Sequence, residues 1–110
     1  MDYLYEREFM TTASRQDDLY NEATAHHGHA IERLVRAYEA DPDKQRDLLQ
    51  EIHFALWQSC ANYGGRCSLR TWVYRVAHNT AASYALRERR SHASAWVGLD
   101  EIQLADDSQA

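Results

Sequence analysis

Residues 69–90 read LRTWVYRVAHNTAASYALRERR, and their apolar positions recur at intervals of three and four. That spacing predicts an amphipathic helix with a buried stripe made of Leu69, Val73, Val76, Ala77, Thr80, Ala81 and Tyr84. A second stripe of the same helix, called here the cationic stripe, consists of Arg75, Asn79, Ser83, Leu86 and Arg90, with Trp72 at its border and Arg89 beside it. The helix therefore offers one side to a core and another to a partner.

The cationic stripe carries the residue types that bind nucleic acid. Arginine contacts phosphates or base edges, asparagine pairs bidentately with adenine, and tryptophan stacks on unpaired bases. The alternative is a solvated helix face with ordinary arginines. Two features favour nucleic acid, namely the local excess of positive charge and the turn Asn62-Tyr63-Gly64-Gly65 just before the helix. A loop beside a basic aromatic helix can hold an extruded base.

Charge is segregated along the chain, which has a formal net charge of −5 over 110 residues. Residues 1–65 carry 6 basic and 12 acidic side chains, and residues 91–110 carry 4 acidic side chains and no basic one. Residues 66–90 carry 6 arginines and a single acid, Glu88, so their net charge is +5. In a nucleic-acid binder the distribution of charge is more informative than its total. The net charge of −5 therefore does not exclude binding to nucleic acid.

A second amphipathic helix is predicted over residues 42–61, with Asp41 as N-cap and Pro42 in the first helical position. At 100° per residue its core side comprises Leu48, Leu49, Ile52, Ala55, Leu56 and Ser59. The opposite side, called here the acidic–aromatic face, comprises Asp47, Gln50, Glu51, Phe54, Trp57 and Gln58. Aromatic rings among polar groups indicate a protein interface. The alternative is that Phe54 and Trp57 pack under the N-terminal segment, and the pattern alone leaves both open.

The remaining segments complete an all-α chain, predicted to be a compact bundle of three to four helices. Residues 17–40 form one amphipathic helix, or two if Gly28 breaks it, and residues 17–90 make up the domain. Residues 1–16 are an N-terminal arm or short helix, and residues 91–110 are an acidic tail that starts a linker. Ser68 is predicted to cap the last helix. Four Gly and one Pro are too few for the turns of a many-stranded β fold.

Several other classes of protein are disfavoured. Two cysteines, Cys60 and Cys67, do not make a disulfide framework, and no secretion leader or membrane-length apolar run is present, so a cytoplasmic protein is expected. His26, His27 and His29 match no metal-ligand spacing, and no nucleophile has a base and an orienting group beside it. We therefore predict no enzyme activity, no metal and no cofactor.

The segments DLLQEIHFALW (47–57), LRTWVYRVAHNTA (69–81) and RERR (87–90) resemble region 2 of bacterial RNA polymerase sigma factors, specifically the extracytoplasmic-function group. The resemblance covers about residues 20–90. It is specific because two distinctive helix motifs occur in the right order and at the right separation.

The resemblance implies a transcription initiation factor that binds core RNA polymerase, recognises the promoter minus-ten element and helps to melt it. Sigma factors of this group hold the non-template strand single-stranded, and an anti-sigma factor is a common partner. The helix of residues 47–57 would dock on the clamp helices of the β′ subunit through Asp47, Gln50, Glu51, Phe54 and Trp57. The minus-ten strand would be held by Tyr63, Arg66, Ser68, Trp72, Arg75, Asn79, Ser83, Arg87, Arg89 and Arg90.

Two departures from the family pattern qualify these expectations. Val73 follows Trp72 where housekeeping sigma factors have a second tryptophan, which implies weaker melting and stringent promoter choice. Nothing after Arg90 supplies the helix-turn-helix of region 4, so we expect an isolated domain of a longer protein or, less favoured, a divergent member. The rival hypotheses are a helical protein-interaction module without DNA binding and, less favoured, a metal-dependent helical enzyme.

Overall fold

The structure, a computed structural model, describes the backbone of residues 2–107 and the side chains of residues 14–94. Three helices follow one another, α1 (Asp2–Tyr38), α2 (Pro42–Cys60) and α3 (Leu69–Asp107), and no strand occurs between residues 2 and 107. The predicted all-α class and the lower of the two predicted helix counts are confirmed. None of the helices in this described range is long and apolar enough to cross a membrane.

Each helix packs against the other two around one apolar core. The core residues are Ala23, Ile31, Leu34, Val35, Leu48, Ile52, Leu56, Cys60, Val73, Ala77, Ala81 and Tyr84. In α2 the buried positions recur every four residues, which makes the buried stripe narrower than predicted. Leu49, Ala55 and Ser59, predicted as core, are only partly buried. The predicted stripe of α3 is confirmed, with Leu69, Val76 and Thr80 at its half-buried borders.

The first helix is continuous from Asp2 to Tyr38, so Gly28 does not break it. Glycine in a helix interior costs roughly 1 kcal/mol relative to alanine. Ala23 precedes Gly28 and Ile31 follows it, and both are buried in the core against α2 and α3. These contacts offset the cost of the glycine because they hold the two halves of α1 in one continuous helix. Residues 2–16, for which the sequence left an arm or a short helix open, are the N-terminal part of α1. Residue 1 lies outside the described residues.

Side-chain caps define the starts of the other two helices, as predicted. The Asp41 carboxylate accepts a hydrogen bond of 3.0 Å from the Asp43 N–H, and Pro42 occupies the first position of α2. Ser68 Oγ accepts one of 3.1 Å from the Thr71 N–H. The loop between these helices turns at Gly65, whose φ of 75° suits glycine.

The last helix extends to Asp107, so the prediction that it ends near Arg90 is wrong. The segment after Arg90 contains no proline, and alanine, leucine and glutamine are good helix formers. Weak amphipathic periodicity was therefore no sign of a helix end. The role of residues 91–110 as the start of a linker stays a prediction, and residues 108–110 lie outside the described range.

Candidate polymerase and nucleic-acid interfaces

The acidic–aromatic face lies on the outer side of α2. Phe54 is 60% exposed and Trp57 is 38% exposed, and their rings are stacked with centroids 6.5 Å apart. Asp47 and Gln50 are exposed on the same side, whereas Glu51 is half-buried. The structure therefore brings all five residues predicted to bind polymerase to one surface.

Trp57 is tied to α1, which the sequence had left open. Its indole N–H donates to Asp17 Oδ1 at 2.8 Å, and Gln16 Nε2 donates to the Trp57 carbonyl oxygen at 2.8 Å. Phe54 lies one turn earlier and keeps most of its ring in solvent. The two alternatives for these aromatic residues were packing against the N-terminal segment and exposure at an interface. Trp57 contacts the N-terminal part of α1, and Phe54 is exposed at the surface.

The loop of residues 61–68 is held by contacts on both of its sides. Tyr63 packs on Trp72 with ring centroids 5.4 Å apart, and its hydroxyl donates to the Cys67 carbonyl oxygen. The half-buried Trp72 donates from Nε1 to Ser59 Oγ at 3.1 Å. Arg15 Nη2 donates to the Tyr63 carbonyl oxygen at 3.1 Å. The two aromatic rings predicted to capture bases therefore also stabilise the loop.

The exposed side of α3 presents the predicted strand-binding residues together. Arg75, Asn79, Ser83, Arg89 and Arg90 are all exposed, and Leu86 is 48% exposed among them. A groove of about 470 Å³ between α2 and α3 runs along this side. Its lining residues are Glu51, Asn79, Thr80, Ser83, Leu86, Arg87 and Arg90. Arg66 is exposed in the preceding loop, outside the groove lining, and Ser68 acts as the N-cap of α3.

An ion pair joins the two candidate surfaces. Arg87 Nη2 donates to both carboxylate oxygens of Glu51, at 2.6 and 2.8 Å. The Arg87 guanidinium also lies over the Tyr84 ring, 5.8 Å from its centroid. The hydrogen bond to Glu51 and the charge of Glu51 raise the pKa of Arg87. The sequence assigned these two residues to different partners and held no signal of their contact, because they lie 36 positions apart.

Three further inter-helix contacts were not anticipated from the sequence. The Tyr20 hydroxyl and His53 Nδ1 are 2.8 Å apart between α1 and α2, and the Tyr38 hydroxyl and His78 Nδ1 are 3.3 Å apart between α1 and α3. Lys44 Nζ lies 2.9 Å from Glu88 Oε2 between α2 and α3. Within residues 14–94 no group of three or more His, Cys, Asp or Glu side chains is arranged to hold a metal ion.

The partial burial of His53 predicts an acid-sensitive stability. Burial lowers the pKa of His53 below its ordinary value of 6.5, and the charge of Glu32 opposes this only in part. The neutral ring therefore stabilises the fold fully above about pH 6.5, and this contribution is lost as the pH falls through the folded-state pKa. We expect His53→Gln to lose less stability than wild type between about pH 7 and pH 5, measured by urea unfolding.

The matched control is His26→Gln, because His26 is an exposed histidine on α1. It should keep the pH dependence of the wild-type protein. Equal pH dependence for wild type and His53→Gln would contradict the prediction.

The three-helix core thus carries the acidic–aromatic face on α2 beside the groove between α2 and α3, which is called here the cationic groove because Arg87 and Arg90 outnumber its one acidic lining residue, Glu51. The family Sigma-70 region 2 matches residues 23–91, and the chain belongs to this family. The resemblance inferred from residues 47–57 and 69–90 is thereby confirmed.

Curated relatives are sigma factors, including members named as extracytoplasmic-function factors. The chain is 24% identical over 82 residues to the RNA polymerase sigma-H factor of Pseudomonas aeruginosa. The matched region covers 74% of the chain and 42% of that protein. It is 27% identical over 84 residues to the ECF RNA polymerase sigma-E factor of Escherichia coli, covering 76% of the chain and 44% of that protein.

A shorter match joins the chain to the ECF RNA polymerase sigma factor SigG of Mycobacterium tuberculosis, at 43% identity over 44 residues, or 40% of the chain and 12% of that protein. The chain therefore spans less than half the length of each of these relatives. No solved structure matches the chain.

Proposed function

We propose that this chain is the part of a transcription initiation factor that docks on core RNA polymerase and holds the promoter minus-ten element as single-stranded DNA. The observation that carries the proposal is the adjacency of the acidic–aromatic face of α2 and the cationic groove of α3. On such a core two partners could be bound side by side, with the polymerase next to the strand. The proposal requires no catalytic group, since binding energy alone opens the duplex.

The acidic–aromatic face would contact the β′ clamp helices of the polymerase. Phe54 supplies the exposed ring, and Asp47 and Gln50 supply a charge and hydrogen-bonding groups around it. A large aromatic ring rimmed by polar groups is the common composition of a binding hot spot. Asp17 orients the neighbouring Trp57 ring through its carboxylate, so that ring is ordered before a partner arrives.

The cationic groove would hold the non-template strand. Arg90 in the groove and the exposed Arg89 next to it can neutralise phosphates, and Asn79 can pair with the edge of an unpaired base. The exposed Leu86 provides an apolar surface in the groove against which a base can lie. Tyr63 and Arg66 of the loop would meet the base that is extruded from the stack. The chain would work where RNA polymerase works, in the cytoplasm, and an anti-sigma factor is a further proposed partner.

The proposal predicts a separation of the two binding functions. Asn79→Ala should weaken binding of a single-stranded minus-ten oligonucleotide, because a bidentate base contact contributes about 1–3 kcal/mol, or about five- to 150-fold in affinity. The oligonucleotide is fluorescently labelled, and polarisation is measured with the chain bound to core polymerase. Affinity for the polymerase itself should be unchanged.

Asn21→Ala is the matched control, since Asn21 is an exposed asparagine on α1 away from the groove. It should bind both partners as wild type does. Loss of polymerase binding by Asn79→Ala would argue against the division between helices. Unchanged binding of every minus-ten sequence would favour the protein-interaction module without DNA binding.

A further inference from the structure

One contact links the two surfaces to which the proposed function assigns different partners. Glu51 belongs to the acidic–aromatic face of α2, and Arg87 belongs to the predicted phosphate-binding residues of α3. Both carboxylate oxygens of Glu51 accept from the same Arg87 nitrogen, Nη2. In the free chain the guanidinium is therefore turned toward α2 and its charge is partly neutralised.

The Glu51–Arg87 ion pair changes the net charge of the groove lining. Glu51 is the one acidic side chain among the described residues that line the groove, and Arg87 and Arg90 are the basic ones. With Glu51 in place the lining carries a formal charge of +1, and without it the charge is +2. The nearby acid Glu88 is paired instead with Lys44, whose Nζ lies 2.9 Å from Glu88 Oε2. Glu51 thus governs how much positive charge the groove offers to a phosphate.

We propose that Glu51 restrains Arg87 in the free chain, and that polymerase contact with Glu51 releases Arg87 to bind a phosphate of the single strand. This inference rests on the proposed function and adds a coupling between its two binding events. Binding of polymerase raises the affinity for the strand, and binding of the strand raises the affinity for polymerase by the same factor, because coupling between two sites is reciprocal.

The coupling is modest because both partners of the pair are partly in solvent, with side-chain exposures of 59% for Arg87 and 40% for Glu51. Exposed ion pairs change equilibria by about two- to fivefold. A pair of this strength biases the free chain against DNA without preventing release. It suits a factor that should bind promoters only in company with polymerase.

The test is a double-mutant cycle on the 110-residue chain with Glu51→Gln, Arg87→Gln and the double variant. The probe is a fluorescein-labelled oligothymidine of about 12 nucleotides, within the usual size of a single-strand site. It is suitable because a phosphate contact does not depend on base sequence. Polarisation is measured between about 50 and 200 mM salt, where counterion release makes such contacts visible.

We expect Glu51→Gln to bind the oligonucleotide about two- to fivefold more tightly than wild type. The plot of log affinity against log salt should steepen by about 0.7, the increment for one added phosphate contact on a single strand. In the Arg87→Gln background the same change at Glu51 should have no effect. At saturating core polymerase the advantage of Glu51→Gln should disappear, since the polymerase has already engaged Glu51.

Glu88→Gln is the matched control, because it also removes one acid from an ion pair between α2 and α3. Any gain that it produces through the general field should persist in the Arg87→Gln background. A Glu51→Gln gain that persists in that background, or no gain at all, would overturn the inference. Failure of the polymerase-bound wild type to bind minus-ten strands would instead refute the proposed function, so the two failures are distinguishable.

Discussion

Replacing Phe54 with alanine should weaken binding of the chain to core RNA polymerase by about thirtyfold or more while leaving the fold intact. Truncation of an aromatic hot-spot residue commonly costs about 2 kcal/mol or more of binding free energy. Phe54 is 60% exposed in the free chain and stacks on Trp57, so the ring is available to a partner and contributes little to the core. Surface substitutions of this kind change stability by only about 0.5 kcal/mol.

The experiment compares polymerase affinity, by biolayer interferometry with core enzyme, with the urea midpoint of the same variant. Leu86→Ala is the matched control because Leu86 is also an exposed apolar residue, 48% exposed, but lies in the groove on α3. It should leave polymerase affinity unchanged. If Leu86→Ala lowers the affinity as much as Phe54→Ala does, the acidic–aromatic face is not the docking surface.

Leu56→Ala, two residues further along the same helix, should have the opposite profile. The Leu56 side chain is fully buried at 0% exposure, between the α1 and α3 core residues. Deleting a buried leucine side chain costs about 2–5 kcal/mol through lost burial and the cavity left behind. Since a domain of this size is stable by only about 5–15 kcal/mol, the variant should show a large drop in its urea midpoint.

Leu56→Met separates the cavity from other effects, because it keeps the buried volume and should cost less than about 1.5 kcal/mol. Under conditions where Leu56→Ala remains folded, its polymerase affinity should approach that of wild type. A Leu56→Ala variant as stable as Phe54→Ala would mean that the two sides of α2 have been assigned the wrong way round.

Helical periodicity was sufficient to predict which side of α2 and of α3 faces inward. Leu48, Ile52 and Leu56 are buried, as the spacing predicts, whereas the exposure of Phe54 was left open by the sequence and shown by the structure. The caps at Asp41 and Ser68 could also be predicted, because a cap is a hydrogen bond between residues only two or three positions apart. Helix ends were predicted less well. The sequence after Arg90 contains no signal that ends α3, and α1 continues through Gly28 because its two halves pack against the core.

The binding roles of the candidate site residues stay predictions, and the contacts between these residues were not predicted from the sequence. The sequence placed Glu51 and Arg87 on two surfaces, and it placed Trp57 on a face whose exposure it left open. Helical phase describes how residues are arranged around one axis. It does not specify how two helices are rotated and shifted against each other. The Trp57–Asp17 hydrogen bond, which spans 40 positions, depends on that relative placement.

By itself, the sequence determined the helical class, the inward sides of α2 and α3, and the concentration of positive charge in residues 66–90, because all three depend on residue type and local spacing. That the acidic–aromatic face and the cationic groove meet, and that Glu51 and Arg87 form an ion pair at this junction, became visible from the packed helices. The physical reason is that packing of α2 against α3 buries Leu48, Ile52 and Leu56, and this packing sets which polar side chains come together at the rim.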